Sequence, residues 1–355
     1  MFEVNSSKKI FNANTLENIY NEQISNSLPY VVRTTKNNGI VGYINENQIY
    51  ANEANTLSFA QDTFTVFYQK QKYFTGNRVK VLKSKFDLKN SNVMHFLVAC
   101  FQKVLANLSW GDSSTVTSIK QIKIQLPINK DGDIDFEFME SFVAELEAER
   151  VAELEAYLAA ASLKDYELTA AELSALSKFE NYNWNKFEYR KIFNHIKQGK
   201  RLKKDDQICG DLPFVMAGIT NNGVANYISN PIIMFPKNSI TVDIFGNVFY
   251  RDFEFSAGDD TGVYWNDKRE FSKEIMLFFT TAMSKSLLGK YSFGNKLRSS
   301  KSFNIAMELP TNNGEIDFEF MNNFIKAIKK LAIKDVVLYT DNKIKATKSI
   351  ASSNQ

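Results

Sequence analysis

Cysteine and histidine are nearly missing from this chain, with two of each in 355 residues. Cys100 and Cys209 form no Cys-x-x-Cys pair, and so few ligands do not furnish an ordinary Cys/His zinc site. The scarcity of cysteine makes a reducing, cytoplasmic location the expectation. No stretch approaches the roughly 20 apolar residues of a membrane helix. The start, Met1-Phe2-Glu3-Val4, has neither the charged beginning nor the apolar core of a signal peptide. No Gly-x-x-x-x-Gly-Lys-Ser/Thr phosphate loop is present, so ATP-driven work is not intrinsic. Asp131-Gly132-Asp133-Ile134-Asp135 resembles a calcium loop only superficially. Phe136 stands where that loop needs Gly, and Phe142 where it needs the bidentate Glu. His95 and His195 have no paired nucleophile and read as structural or exposed. These absences describe a chain that binds and does not itself react.

Charge is present but unevenly spread. Residues 1–130 carry 15 Lys/Arg against 8 Asp/Glu; residues 131–180 carry 3 against 14; residues 181–313 carry 18 against 13; residues 314–355 carry 7 against 5. Two basic blocks suited to a polyanion are therefore split by a strongly acidic one, although solvated surface charge accounts equally well for excesses this modest.

The largest signal is a duplication with a period near 182–184 residues. Leu28-Pro29-Tyr30 returns as Leu212-Pro213-Phe214, and Asn37-Asn38-Gly39 as Asn221-Asn222-Gly223. Phe67-Tyr68 matches Phe249-Tyr250, Trp110-Gly111 matches Phe293-Gly294, and Leu126-Pro127 matches Leu309-Pro310. Ile134-Asp135-Phe136-Glu137-Phe138-Met139 returns as Ile316-Asp317-Phe318-Glu319-Phe320-Met321. A repeat this long is a duplicated domain, not a solenoid unit.

Each copy has the same coarse plan. Alternating stretches predict strands around 28–83 and 212–265, with Asn-Gly hairpin turns at 38–39 and 222–223. Amphipathic helices are expected at about 90–108 and 271–288. After a Leu-Pro break, Asp135 caps a second helix running to about Ala161, with a short helix from Thr169 to Phe179 following. Met139, Phe142, Val143 and Leu146 form one stripe on the long helix; Met321, Phe324, Ile325 and Ile328 form its copy 182 positions later. Little sequence surrounds either helix, which favours packing the two on each other, antiparallel, as a spacer. The competing expectation is that each covers its own domain. The copy, at about 317–334, looks the shorter of the two.

At these residues the sequence resembles the specificity subunits of type I restriction–modification systems. The stretch from Gly132 through Leu158 is similar to their spacer helix, especially in type IIB and IIG systems. Leu28 to Thr34 with the Asn-Asn-Gly turn, and Gly294-Asn295-Lys296-Leu297-Arg298, resemble parts of their recognition domains. The resemblance implies an α/β (α+β) fold with two tandem target-recognition domains at 1–130 and 181–312. A central spacer helix region is implied at 131–180, a distal spacer helix at 313–337 and a tail at 338–355, with the paired helices giving pseudo-two-fold symmetry. It implies a non-catalytic subunit that reads a bipartite site on double-stranded DNA, one half per domain. Its partners would be DNA adenine methyltransferase subunits holding S-adenosylmethionine, and an endonuclease or translocase subunit. The chain itself would need no cofactor or metal: Asn230-Pro231-Ile232 lacks the Asn/Asp-Pro-Pro-Tyr/Phe motif of amino-methyltransferases, and no Gly-rich loop suits S-adenosylmethionine.

Exposed polar loops, most of whose positions differ between the copies, hold the candidates for reading DNA. In the first copy these are Arg33, Thr35, Lys36, Asn37, Lys70, Gln71, Lys72, Arg78 and Ser113; in the second, Thr220, Asn221, Arg251, Lys296 and Arg298. Arg33 is equally well read as a sheet-face residue, and each loop as a solvated turn. Three alternatives stand beside this one. They are a type IIB or IIG arrangement with a fused methyltransferase–nuclease partner, a nuclease using Asp259 and Asp260, and a protein-interaction module.

Overall fold

A computed structural model describes the backbone of residues 1–88, 90–108 and 115–353, and side chains through residue 346. Contacts divide it into a first unit, Met1–Leu154, and a second, Glu155–Gln355. Among the described residues no helix is long and apolar enough to cross a membrane.

In the first unit, strands β1 (Phe2–Ser6), β2 (Leu28–Val31), β3 (Ile40–Ile44), β4 (Thr56–Ala60), β5 (Thr65–Gln69), β6 (Phe74–Thr75) and β7 (Val79–Ser84) form two sheets. One is an antiparallel sheet of order β1-β7-β4-β5, the other a small sheet of order β3-β2-β6 in which β2 and β6 run parallel. Helix α1 (Ser91–Leu105), capped by the Asn90 side chain, turns its apolar stripe onto the larger sheet. Leu57, Phe59, Val66 and Leu82 from the sheet meet Val93, Met94, Leu97, Phe101 and Leu105 from the helix in one buried core. Helices α2 (Val116–Gln121) and α3 (Phe136–Ala160) follow.

The second unit holds the last residues of α3 and then α4 (Ala170–Lys178), which begins with a capping box between Thr169 and Glu172. Strands β8 (Trp184–Glu188), β9 (His195–Gln198), β10 (Cys209–Val215), β11 (Val224–Ile228), β12 (Ser239–Asp243), β13 (Val248–Arg251), β14 (Ser256–Ala257) and β15 (Thr261–Trp265) come next, with the short helix α5 (Tyr189–Ile192) after β8. The orders β9-β15-β12-β13 and β11-β10-β14 repeat those of the first unit, and α6 (Lys273–Leu287) covers the larger sheet as α1 does. Helix α7 (Ser299–Ser302), β16 (Ala306–Asn312), β17 (Glu315–Ile316) and α8 (Phe318–Ser353) complete the chain. One addition has no counterpart among the described residues: β8 pairs antiparallel with β16 and makes a third sheet, β17-β16-β8. Among the described residues the first unit shows only the bridge Ile128–Ile134 in that place.

Helices α3 and α8 start identically. Asp135 accepts a 2.8 Å hydrogen bond from the Phe138 amide, and Asp317 the same bond from Phe320. Two expectations need correction here. The helix that looked shorter is the longer, 36 residues against 25, and residues 338–353 continue it instead of forming a tail. Neither Gly nor Pro interrupts 318–353, and the buried side of the helix extends through Val337 and Thr340. The residues assigned to a helix pair are also placed otherwise. Met139 is buried in the core of the first unit, and Met321, with Phe324 and Ile325 against it, in that of the second. The cap at Asp135 or Asp317 pins the first turn to its own domain four residues before the methionine, so the sheet–helix layer claims that side chain first. Phe142, Leu146 and Ile328 remain over 40% exposed, and Val143 is half-buried.

Candidate nucleic-acid interface

In each unit the hairpin joining the first two strands of the small sheet carries the Asn-Asn-Gly turn. Asn37, Asn38 and Gly39 all have positive φ, as do Asn221, Asn222 and Gly223. Asn tolerates this left-handed conformation better than most residues, and Gly has no Cβ to strain. A Cβ at Gly223 would stand 2.9 Å from the Met216 carbonyl oxygen, and one at Gly39 would stand 3.2 Å from Val31 Cγ1. The turn's first Asn bonds back to a carbonyl in both units, Asn37 to Ile40 at 3.2 Å and Asn221 to Val224 at 3.4 Å.

The loop before the turn is tied down at both ends. In the first unit Arg33 pairs with Asp62 at one end, and Arg78 reaches the other oxygen of the same carboxylate at 3.0 Å. The hydrogen bond from Arg78, with that from Arg33, holds the Asp62 carboxyl below its ordinary value. At the other end the buried Gln69 amide donates to the Asn38 carbonyl at 2.9 Å and to Ser58 Oγ at 3.0 Å. Between these ties Thr35, Lys36 and Asn37 are exposed, and past the end of β5 so are Lys70, Gln71 and Lys72. Two of the expected contacts, Arg33 and Arg78, are thus drawn together by an aspartate that sequence reasoning did not single out.

The second unit ties the same loop with different atoms. Asp260 accepts from the Ala217 amide at 3.1 Å, and Asp243 from the Gly218 amide at 3.1 Å and from Asn247 Nδ2 at 2.8 Å. At the far end the clasp is Arg251, which donates to the Asn222 carbonyl at 2.6 Å and to Thr241 Oγ1 at 3.0 Å. Arg251 is 1% exposed, and burial pushes its guanidinium down to about 10, leaving it charged at neutral pH. Its selection as a DNA contact is therefore corrected: the turn's carbonyl consumes it. The signal was available, because Gln69 and Arg251 follow the matched Phe-Tyr pairs 182 positions apart. Asp260, half of the suggested nuclease pair, acts as a backbone cap, and no cluster of three His, Cys, Asp or Glu suited to a metal occurs among the described residues.

Thr220 and Asn221 are exposed on this loop. The cations of the second unit lie on the segment after α6. Arg298 donates to the Asp259 carbonyl, and the Leu297 amide to Ile244, which brings the segment beside the β12–β13 turn. Phe293, 81% exposed, tops a tight turn closed by hydrogen bonds between Ser292 and Asn295, with the Lys296 ammonium 4.5 Å from its ring centre. That exposed aromatic was legible only as the partner of Trp110, which, like Ser113, lies outside the described residues. His195 stacks on Trp265 and meets Asp267 at 2.6 Å, an anchoring role.

The type I restriction modification DNA specificity domain matches this chain twice, over residues 1–156 and 181–339. The specificity subunit S.BcgI of a type II restriction enzyme from Heyndrickxia coagulans is 24% identical over 315 residues, covering 87% of this chain and 88% of its own length. The crystal structure of a type I restriction–modification S subunit from M. genitalium superposes with a TM-score of 0.61 at 14% identity, over 99% of this chain and 92% of that one.

Proposed function

Given that the chain belongs to the type I restriction–modification DNA specificity family, as a non-catalytic specificity subunit, we propose that each unit reads one half of a bipartite duplex site through its clamped loop. One observation carries this reading. The two units hold the same backbone turn by different means and present different exposed side chains on the loop before it. A rigid frame with exchanged tips suits two readers of different half-sites.

In the first unit Lys36, Lys70 and Lys72 supply cations for phosphates, Arg33 and Arg78 add only the donors that Asp62 does not take, and Thr35, Asn37 and Gln71 offer groups for base edges. In the second, Thr220 and Asn221 face base edges, and Lys296 and Arg298 face phosphates. Each unit reaches few phosphates, so affinity from the isolated chain is weak and salt-sensitive. Tight binding comes with adenine methyltransferase subunits, which hold S-adenosylmethionine and extrude the target base. An endonuclease joins the assembly. A gel-shift titration of the chain with and without the methyltransferase tests this, and nanomolar specific binding by the chain alone would contradict it. The likeness to a type II enzyme's specificity subunit supports a second reading, in which one partner chain both methylates and cuts. A nuclease motif fused to the methyltransferase in the neighbouring reading frame would favour it.

A further inference from the structure

The second unit holds an exposed aromatic beside its reading loop, and two strand-end pairs do the holding. Asp243 accepts from the Gly218 amide at 3.1 Å, and the next carbonyl, Ile244, accepts from the Leu297 amide at 2.9 Å. Asp260 accepts from the Ala217 amide at 3.1 Å, and the preceding carbonyl, Asp259, accepts from Arg298. The loop before the Asn-Asn-Gly turn and the segment after α6 therefore rise from one footing. Within that segment Ser292 and Asn295 exchange two backbone hydrogen bonds, each 3.1 Å long, and the Asn295 side chain donates to the Lys290 carbonyl at 2.9 Å. Tyr291 packs against the core. Phe293 and Gly294 are left at the tip, with Phe293 81% exposed.

An exposed ring alone means little, since single apolar residues are common on surfaces. Three further observations give this one a task. First, the turn is fixed, so the ring cannot fold back onto the core without breaking the bonds that hold it. Second, its surroundings are cationic: residues 275–307 include Lys285, Lys290, Lys296, Arg298 and Lys301 and no Asp or Glu. Of these five, only Lys285 meets a carboxylate among the described residues, that of Glu308 at 3.8 Å. Third, the aromatic–Gly pair recurs as Trp110-Gly111 in the first copy, whereas Lys296 and Arg298 are matched there by the neutral Ser113 and Thr115. The cations change between the copies and the aromatic stays.

We propose that Phe293 is a wedge that enters the base stack of the half-site assigned to the second unit. The proposal rests on the reading of that unit as a duplex reader and adds how it grips the duplex. Stacking is blind to sequence because every base has a π-face, which suits an aromatic kept in both copies. An inserted apolar side chain partly unstacks one base step, and contacts that the opened duplex permits offset that cost. Lys296, whose ammonium sits 4.5 Å from the ring centre, leaves that face for a phosphate as a base takes its place. An apolar pocket on a protein partner would also accept the ring, but it would leave the surrounding cations without counter-charge.

The test uses the full-length chain assembled with its methyltransferase, and duplexes carrying the site found by methylation mapping. A fluorescent purine analogue is placed at successive positions of the second unit's half-site, away from the methylated adenine. Fluorescence is expected to rise at one base step on binding. Phe293→Ala should remove that rise, weaken binding about 10- to 100-fold and leave the salt slope unchanged. Phe293→Trp, the residue type of the first copy, should keep both the rise and the affinity. Phe293 is exposed enough that neither change disturbs folding. A rise that survives Phe293→Ala, or binding within about twofold of the parent, would overturn the wedge and leave the two readers standing. Loss of assembly with the methyltransferase on Phe293→Ala, measured without DNA, would overturn it in favour of a protein contact. Absence of specific duplex binding by the unmutated complex would overturn it together with the reading beneath it.

Discussion

At one buried position the first unit carries Gln69 and the second Arg251. Both donate to the carbonyl of the turn's second Asn, at 2.9 and 2.6 Å, and both reach a hydroxyl on the adjacent strand at 3.0 Å. What the two units share is the backbone acceptor that must be satisfied; the charge of the donor is incidental. The outer end of the loop teaches the same lesson with other atoms, an arginine–aspartate–arginine set in one unit and two aspartates capping amides in the other. A cation in a basic domain is thus no evidence of a polyanion contact until its donors are accounted for.

The comparison can be broken most forcefully at the helix starts. Met139→Ala and Met321→Ala each remove a fully buried side chain, at a cost of about 2–5 kcal/mol in the unit that contains it. Denaturant melting followed by hydrogen exchange should show the loss of protection confined to that unit. Next in size is the clasp. Arg251→Ala strands the Asn222 carbonyl and should cost about 1–3 kcal/mol, as should Gln69→Ala for Asn38. Arg251→Gln, which writes the first unit's solution into the second, should stay within about 1 kcal/mol of the parent because it also removes a buried charge. A large loss there would show that the guanidinium has a task of its own.

Smaller effects sharpen the contrast at the exposed tips. Lys36→Ala and Lys296→Ala should each lower the salt dependence of DNA binding by the assembled complex, by about one phosphate's worth in the log–log slope. Phe293→Ala should weaken binding without altering that slope. The smallest effect concerns pH. Asp62 has a lowered carboxyl pKa in the folded chain, so its stabilisation is complete above the ordinary carboxylate range and is lost as pH falls through the lowered value. Amide exchange across 33–37 should rise on acidification, and Asp62→Asn should remove that dependence.

The duplication, the long helices and the turns were legible because they rest on local or repeated signals. Asp135 caps where the sequence places it, its repeat Asp317 does the same for α8, and Thr169 starts α4. What was hidden is long-range. Strand β8 is five residues whose partner lies some 120 positions on, and nothing in Trp184–Glu188 announces that pairing. The destination of Met139 was ambiguous because a stripe on a helix shows that something covers it, not what does. The candidate interface was half visible: the exposed tips were found, but the atoms holding them, Asp62, Gln69, Asp243 and Asp260, are ordinary polar residues given meaning only by the fold.

Two separate readers on one chain can be tested by methylation mapping in cells that express the subunit with its methyltransferase. Lys36→Ala with Asn37→Ala should relax the recognised sequence in one half of the site only, and Thr220→Ala with Lys296→Ala in the other half only. Relaxation of both halves by either pair would contradict the division of labour.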